Sequence, residues 1–217
     1  MVHGFCSTIS SFYPTPMRKV LFLFTVLLFS VQMQAQDLTL LNRIKTVNGK
    51  VKSFEADLDN TLVKSKKTTT QKGKLYFVHP YEFAAQFTTG NYMIVNEKKS
   101  KMDIGLFHGT FKLRDGGMMQ SLSNIFLYGF QGRLQELADE NNYSLTTKTE
   151  NGFHIVTGTI NKKKLIGVGY RQVIFKYHTG SLLLKEIVMY DYKGNKDTYT
   201  ISNVKYDVLV DKKMFLF

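Results

Sequence analysis

The apolar positions of this chain change period along its length, and each change marks an element. Leu40, Ile44, Val47 and Val51 recur at i, i+4, i+7 and i+11, one stripe of an amphipathic helix, with Asp37 placed to cap its start. After Lys52 the period falls to two. Phe54, Ala56 and Leu58 alternate with Glu55, Asp57 and Asp59, the pattern of a strand with one buried face. Runs of strand type follow over Gly73 to His79, Tyr81 to Thr88, Tyr92 to Glu97 and Lys101 to Phe107. Pro80 lies between the first two, where a missing N–H does least harm. From Gly117 to Glu140 the period is helical again: Met118, Leu122, Ile125 and Phe126 share one face, Gly129 is expected to interrupt it, and Leu134 and Leu137 continue on a second short helix. Strand runs resume over Tyr143 to Lys148, Gly152 to Ile160, Tyr170 to His178, Leu182 to Asp191 and Asp197 to Val208. Turn signals at Glu150-Asn151-Gly152, Thr179-Gly180 and Lys193-Gly194-Asn195 part several of them.

Together these predict about nine to eleven strands at hairpin spacing, one helix in front and one or two inserted midway. Sheets of that size curl or close. The economical arrangement is mainly β with α: a strongly curved antiparallel sheet with helices over its concave face. No repeat, low-complexity tract or linker interrupts residues 37–217, which read as one domain. The chain holds 17 Phe and 12 Tyr but no Trp. A packed core is the ordinary use of so many inward aromatics; an aromatic-lined cavity is the other.

Residues 1–36 stand apart. Arg18 and Lys19 precede an apolar run from Val20 to Val31, broken only by Thr25 and Ser30, and Ala35 closes the stretch before Asp37. This is the layout of a cleavable secretory signal. The run falls short of the roughly 20 residues that span a bilayer; a short anchor helix is the alternative. Met17 precedes the basic pair, so residues 1–16 read as an upstream extension. The only cysteine, Cys6, lies in that extension after His-Gly-Phe, which is not a lipoprotein context. The exported product is therefore expected to carry no lipid, no disulfide and no thiol nucleophile.

The chain has 29 Lys and Arg against 17 Asp and Glu, a formal charge of +12. The lysines are dispersed in short turn-side groups, such as Lys98-Lys99-Ser100-Lys101 and Lys162-Lys163-Lys164. Export and this dispersal argue against nucleic acid. They leave solvated loop charge, or attraction to anionic membrane surfaces and acidic partners.

Familiar catalytic signatures are missing: no Gly-x-Ser-x-Gly, no P-loop and no His-Glu-x-x-His. His79, His108, His154 and His178 stand singly in sequence, and no metal site or cofactor is expected. Asp57 and Asp59 read as the solvent face of a strand. Arg114-Asp115-Gly116-Gly117 reads as a turn, because no Lys-Ser or Lys-Thr follows the glycines.

The order of motifs carries more than any one of them. Ser53-Phe54-Glu55-Ala56 follows the first helix; Gly73-Lys74-Leu75-Tyr76-Phe77-Val78-His79-Pro80 precedes Phe83; Asp211-Lys212-Lys213-Met214-Phe215-Leu216-Phe217 closes the chain. In this order the chain resembles the periplasmic outer-membrane lipoprotein carrier proteins, the LolA-like family. The resemblance implies an unclosed β-barrel with a helical lid over an apolar cavity that carries acyl chains. It implies acylated lipoproteins as cargo, an inner-membrane transporter that loads them and an outer-membrane acceptor, with the carrier itself a monomer and not an enzyme. Leu75, Phe77, Phe83 and Phe87 would line the cavity, and Met118, Leu122, Ile125 and Phe126 would form the lid.

Two positions depart from the family pattern. His79 stands where a family arginine holds the lid, making it the candidate lid contact, and Ala85 replaces a nearby strand tryptophan. A sensor module for a lipid, glycolipid or peptide on the same scaffold is the competing reading.

Overall fold

The computed structural model describes residues 37–97, 99–104, 107–112, 118–160 and 169–216. The leader, Cys6 and the Arg114 to Gly117 run lie outside them. Helix α1 covers 37–48. From Leu40 onward the chain is one compact unit. Its inward stripe is Leu41 and Ile44, with Leu40 and Val47 partly buried against the same core. The helix ends before Val51, which belongs to the connection into the first strand.

Strands β1 (Ser53–Lys64), β2 (Lys67–Val78), β3 (Glu82–Phe87), β4 (Tyr92–Val95), β5 (Lys99–Ile104) and β6 (Phe107–Lys112) form one meander. Helices α2 (Met118–Gln131) and α3 (Leu134–Asn141) follow. A second meander comprises β7 (Tyr143–Glu150), β8 (Phe153–Ile160), β9 (Tyr170–His178), β10 (Leu184–Asp191) and β11 (Lys196–Tyr206). The 11 strands make a single sheet in the order β6-β5-β4-β3-β2-β1-β11-β10-β9-β8-β7, antiparallel at every described pairing. The β1–β11 ladder fuses the two meanders, and among the described residues β6 and β7 are the edges of the sheet. The reason lies in the connection: two helices intervene where a hairpin would have joined β6 to β7, so the curved sheet stays unclosed.

Two sequence expectations need correction. The run expected from Lys101 to Phe107 is two strands, β5 and β6, paired through Ile104↔Phe107. The first hairpin is also longer than its alternation suggested, because β1 and β2 stay paired out to Lys64↔Lys67. Residues Lys67 to Thr70 are exposed on both faces, so they carry no inside–outside contrast for a period to reveal.

On the concave face, cross-strand partners form continuous apolar rows. Phe54 pairs with Phe77, Phe77 with Phe83, and Phe83 with Val95; in the next row Ala56 pairs with Leu75, Leu75 with Ala85, and Ala85 with Met93. Both rows are buried. On the convex face Lys74 bridges Asp57 at 2.7 Å, and Asn203 donates to the same carboxylate at 2.7 Å. Asp57 is thereby held below the ordinary carboxylate range, by these hydrogen bonds first, which accounts for it without a bound cation.

Candidate functional site

Helix α2 lies on the concave face and presents Leu122, Ile125, Phe126, Leu127 and Phe130 to it. Phe126 meets Phe83 at 5.5 Å and Tyr199 edge-on at 4.8 Å between ring centroids. Phe130 meets Phe54 at 5.4 Å and Phe77 at 5.3 Å, both edge-on. Edge-on and offset contacts of this kind are the favoured aromatic geometries. Of the expected cavity and lid residues, Leu75, Phe77, Phe83, Phe87, Leu122, Ile125 and Phe126 are all buried in this one core. Met118 opens α2, and its side chain lies outside the described residues.

The site is full. Beside it, between Val51, Phe54, Phe130 and Tyr206, is a cleft of about 20 Å³, room on the order of a single water.

Glycines decide how closely the helix sits. Helix α2 runs straight through Gly129, contrary to the interruption read from the sequence. A β-carbon there would lie 2.8 Å from the Phe175 ring, so glycine lets the helix touch β9. The break comes at Gly132, whose φ of +67° is in the left-handed region that glycine adopts without penalty.

Polar contacts tie the helix at intervals. Ser123 donates to Ser100 on β5 at 3.1 Å and Tyr177 on β9 donates to the Gly129 carbonyl at 2.7 Å, both buried. The Gln131 amide donates to the Pro80 carbonyl. Past the Gly132 turn, Glu136 on α3 accepts from Arg133 and from Lys45 of α1, the latter at 2.7 Å. These partners, Arg133 first, hold its carboxyl down at about 2. Arg133 also covers the Tyr128 ring at 4.9 Å.

His79 takes no part in this latch. Its backbone N–H donates to the Lys52 carbonyl at 2.8 Å, while its ring is exposed and edge-on to Phe77. Desolvation first, then the Arg133 charge, lower its pKa. The contact between this loop and α2 is the Gln131 side chain donating to the carbonyl of Pro80, one residue later.

One end of the interior is polar. Asn60, buried on β1, donates to Asp197 at 2.5 Å and accepts from Gln71 at 3.0 Å. Tyr199 donates to Asp197 at 3.1 Å. Burial pushes the Asp197 carboxyl up to about 6 against those hydrogen bonds. Sequence reading missed these groups, although Asn60 and Tyr199 sit in the inward phase of their strands, where a polar side chain is the signal to look for. Among the described residues no group of three His, Cys, Asp or Glu side chains is placed to hold a metal ion.

No family model and no curated protein matches the chain. Among solved structures, a DUF1329 family protein from Desulfovibrio piger is 14% identical, covering 82% of this chain and 95% of its own, with a TM-score of 0.47. A LolA superfamily protein from Nitrosomonas europaea is 8% identical over 83% of this chain and 97% of its own, with a TM-score of 0.40. The Mycobacterium tuberculosis lipoprotein LppX is 14% identical over 81% of this chain and 98% of its own, with a TM-score of 0.38.

Proposed function

We propose that this protein is an extracytoplasmic carrier of acyl chains, which shelters the lipid part of a lipoprotein between α2 and the concave face of its sheet on the way to the outer membrane. The observation that carries the reading is the packing of Phe126 and Phe130 onto Phe83, Phe77 and Phe54: a single helix fills an aromatic trough, so moving one element makes room. The leader-like residues 17–36 and the family resemblance agree with it.

The energetics favour exchange over insertion. Lifting Leu122, Ile125, Phe126 and Phe130 off the sheet exposes four apolar side chains at about 1.5–3 kcal/mol each. An acyl chain of about a dozen methylenes recovers ~0.8 kcal/mol apiece. The two sums are alike. Cargo can therefore displace the lid, and the lid can later displace the cargo. The buried hydrogen bonds of α2 add only about 0.5–1.5 kcal/mol each, so they set the closed position without making it permanent.

The test is native mass spectrometry with a triacylated lipopeptide, together with a reversible lock. The Ser100 and Ser123 hydroxyl oxygens are 3.1 Å apart, so Ser100→Cys with Ser123→Cys can bind α2 to β5 when oxidised. Wild type and the reduced double variant should each take up one lipopeptide, and the oxidised form should take up none. Absence of an adduct with wild type would sink the proposal and move the reading to a sensor of polar ligands.

A further inference from the structure

The polar end of the interior holds a carboxylate to which the described residues supply no counter-charge. Asp197 lies on β11 opposite Leu62, beside the turn that closes β1 on β2 at Lys64↔Lys67, and so at the far end of the sheet from Pro80. The side chains facing it come from neighbouring strands: Asn60 and Leu62 on β1, Tyr199 on its own strand, Met189 on β10 and, at longer range, Tyr170 on β9. Lys196 falls on the opposite face by strand alternation. Among the described residues no cation pairs with Asp197; its donors are the Asn60 amide, the Tyr199 hydroxyl and the Thr198 backbone N–H.

The groups behind it fix this polarity. Gln71 accepts from Thr89 and Asn91, each at 3.0 Å, and donates to the Asn60 side-chain oxygen, so Asn60 has only its N–H to offer Asp197. The aspartate is the acceptor at the inner end of that chain. An ionised carboxylate has about four acceptor sites, and these three donors leave one open. With a pKa of about 6 the group is mainly ionised at pH 7. A desolvated charge without a partner is costly, and a cation arriving with a ligand relieves that cost.

We infer that Asp197 is the head-group subsite of the trough and takes the free α-ammonium of a two-chain lipopeptide, whose acyl chains lie where α2 packs in the closed form. The two regions are continuous: Tyr199, which donates to Asp197 at 3.1 Å, meets Phe126 of α2 edge-on at 4.8 Å. Displacing Phe126 turns the Tyr199 ring into a wall of the freed space, with Asp197 at its hydroxyl end. A phosphate head group is disfavoured there, because it sets an anion against the carboxylate. The subsite rests on the carrier reading, since it is reached through the space that α2 vacates.

The probes are one diacylated lipopeptide with its α-amine free and the same molecule N-acetylated. They compete for the full chain at equal concentration, read by native mass spectrometry. At pH 7.5 wild type should take up the free amine in preference by about tenfold or more. At pH 5 Asp197 is protonated, while Tyr170 and Tyr199, both raised by burial, hold their protons throughout; the ratio should fall toward one. Asp197→Asn keeps the shape, removes the charge and should give a ratio near one at both pH values. Equal uptake by wild type at pH 7.5, a preference that Asp197→Asn retains, or uptake of triacylated lipopeptide alone would overturn the subsite and leave the carrier standing. Uptake of none of the three lipopeptides would remove the carrier and the subsite with it.

Discussion

The phenol of Tyr177, on the inner face of β9, donates to the carbonyl of Gly129 in the last turn of α2 at 2.7 Å. That carbonyl also accepts from the N–H of Gly132 at 3.2 Å, so the bond from the sheet lands on the turn that ends the helix. Tyr177→Phe keeps the ring and removes the tie. A net loss of about 0.5–1.5 kcal/mol is expected, with faster amide exchange concentrated in α2. Hydrogen exchange by mass spectrometry checks this; an α2 that exchanges at the wild-type rate would show that apolar packing alone holds the helix.

The two helix glycines should differ in their tolerance of alanine. At Gly129 the new methyl meets the Phe175 ring at 2.8 Å, a side chain that can turn, and overpacking of this kind costs about 1–3 kcal/mol. At Gly132 it meets the backbone carbonyl of Ile44 at 2.8 Å with φ at +67°, and neither can give way. Thermal melting should therefore rank Gly132→Ala below Gly129→Ala and both below wild type, with shifts of about 2–4 °C per kcal/mol for a domain of this size.

Asp197 imposes a pH dependence of known sign. Its folded-state pKa is raised to about 6 from 3.8, so the folded chain holds the proton more tightly than the unfolded one. The stability this confers is complete below about pH 4 and is lost as pH rises through 6. Asp197→Asn keeps a hydrogen-bonding group and removes the charge. Denaturant titrations should find the variant more stable than wild type at pH 8 by on the order of 1–3 kcal/mol, with the gap closing toward pH 4. A gap of constant size across that range would contradict the assignment.

Glu136 acts in the opposite direction. Its pKa is lowered to about 2 by Arg133 and Lys45, so its contribution is present above the unfolded value near 4.5 and is lost as pH falls through 2. The pair is partly exposed, with side-chain exposures of 55% for Lys45 and 34% for Glu136, and screening holds its worth to about 1 kcal/mol. Glu136→Gln should cost about that much at pH 7, less at high salt, and nothing below pH 2. Urea melts at two salt concentrations measure it.

Much of the buried face was legible because inward and outward positions follow from local periodicity. Leu75 and Phe77 fall in the inward phase of β2, Phe83 and Phe87 in that of β3, and Leu122, Ile125 and Phe126 on one helical face; all are buried where expected. Gly129 misled because a glycine within a helical pattern reads as a break, and its reason lies on β9, in Phe175. His79 was the candidate lid contact through the resemblance alone; the bond the structure shows beside it runs from Gln131 to the Pro80 carbonyl, 51 positions apart, a pairing no local pattern marks.

From the sequence alone came the elements, their buried faces, the inserted helices and the absence of known catalytic signatures, since each is written within a few residues. Only the tertiary structure decided that β1 pairs with β11, that β6 and β7 remain edges, and that α2 fills the trough. It also placed Asp197 beside Asn60, 137 positions away. Those outcomes depend on which distant surfaces meet, and shape, close approach and desolvation at such meetings leave no local period to read.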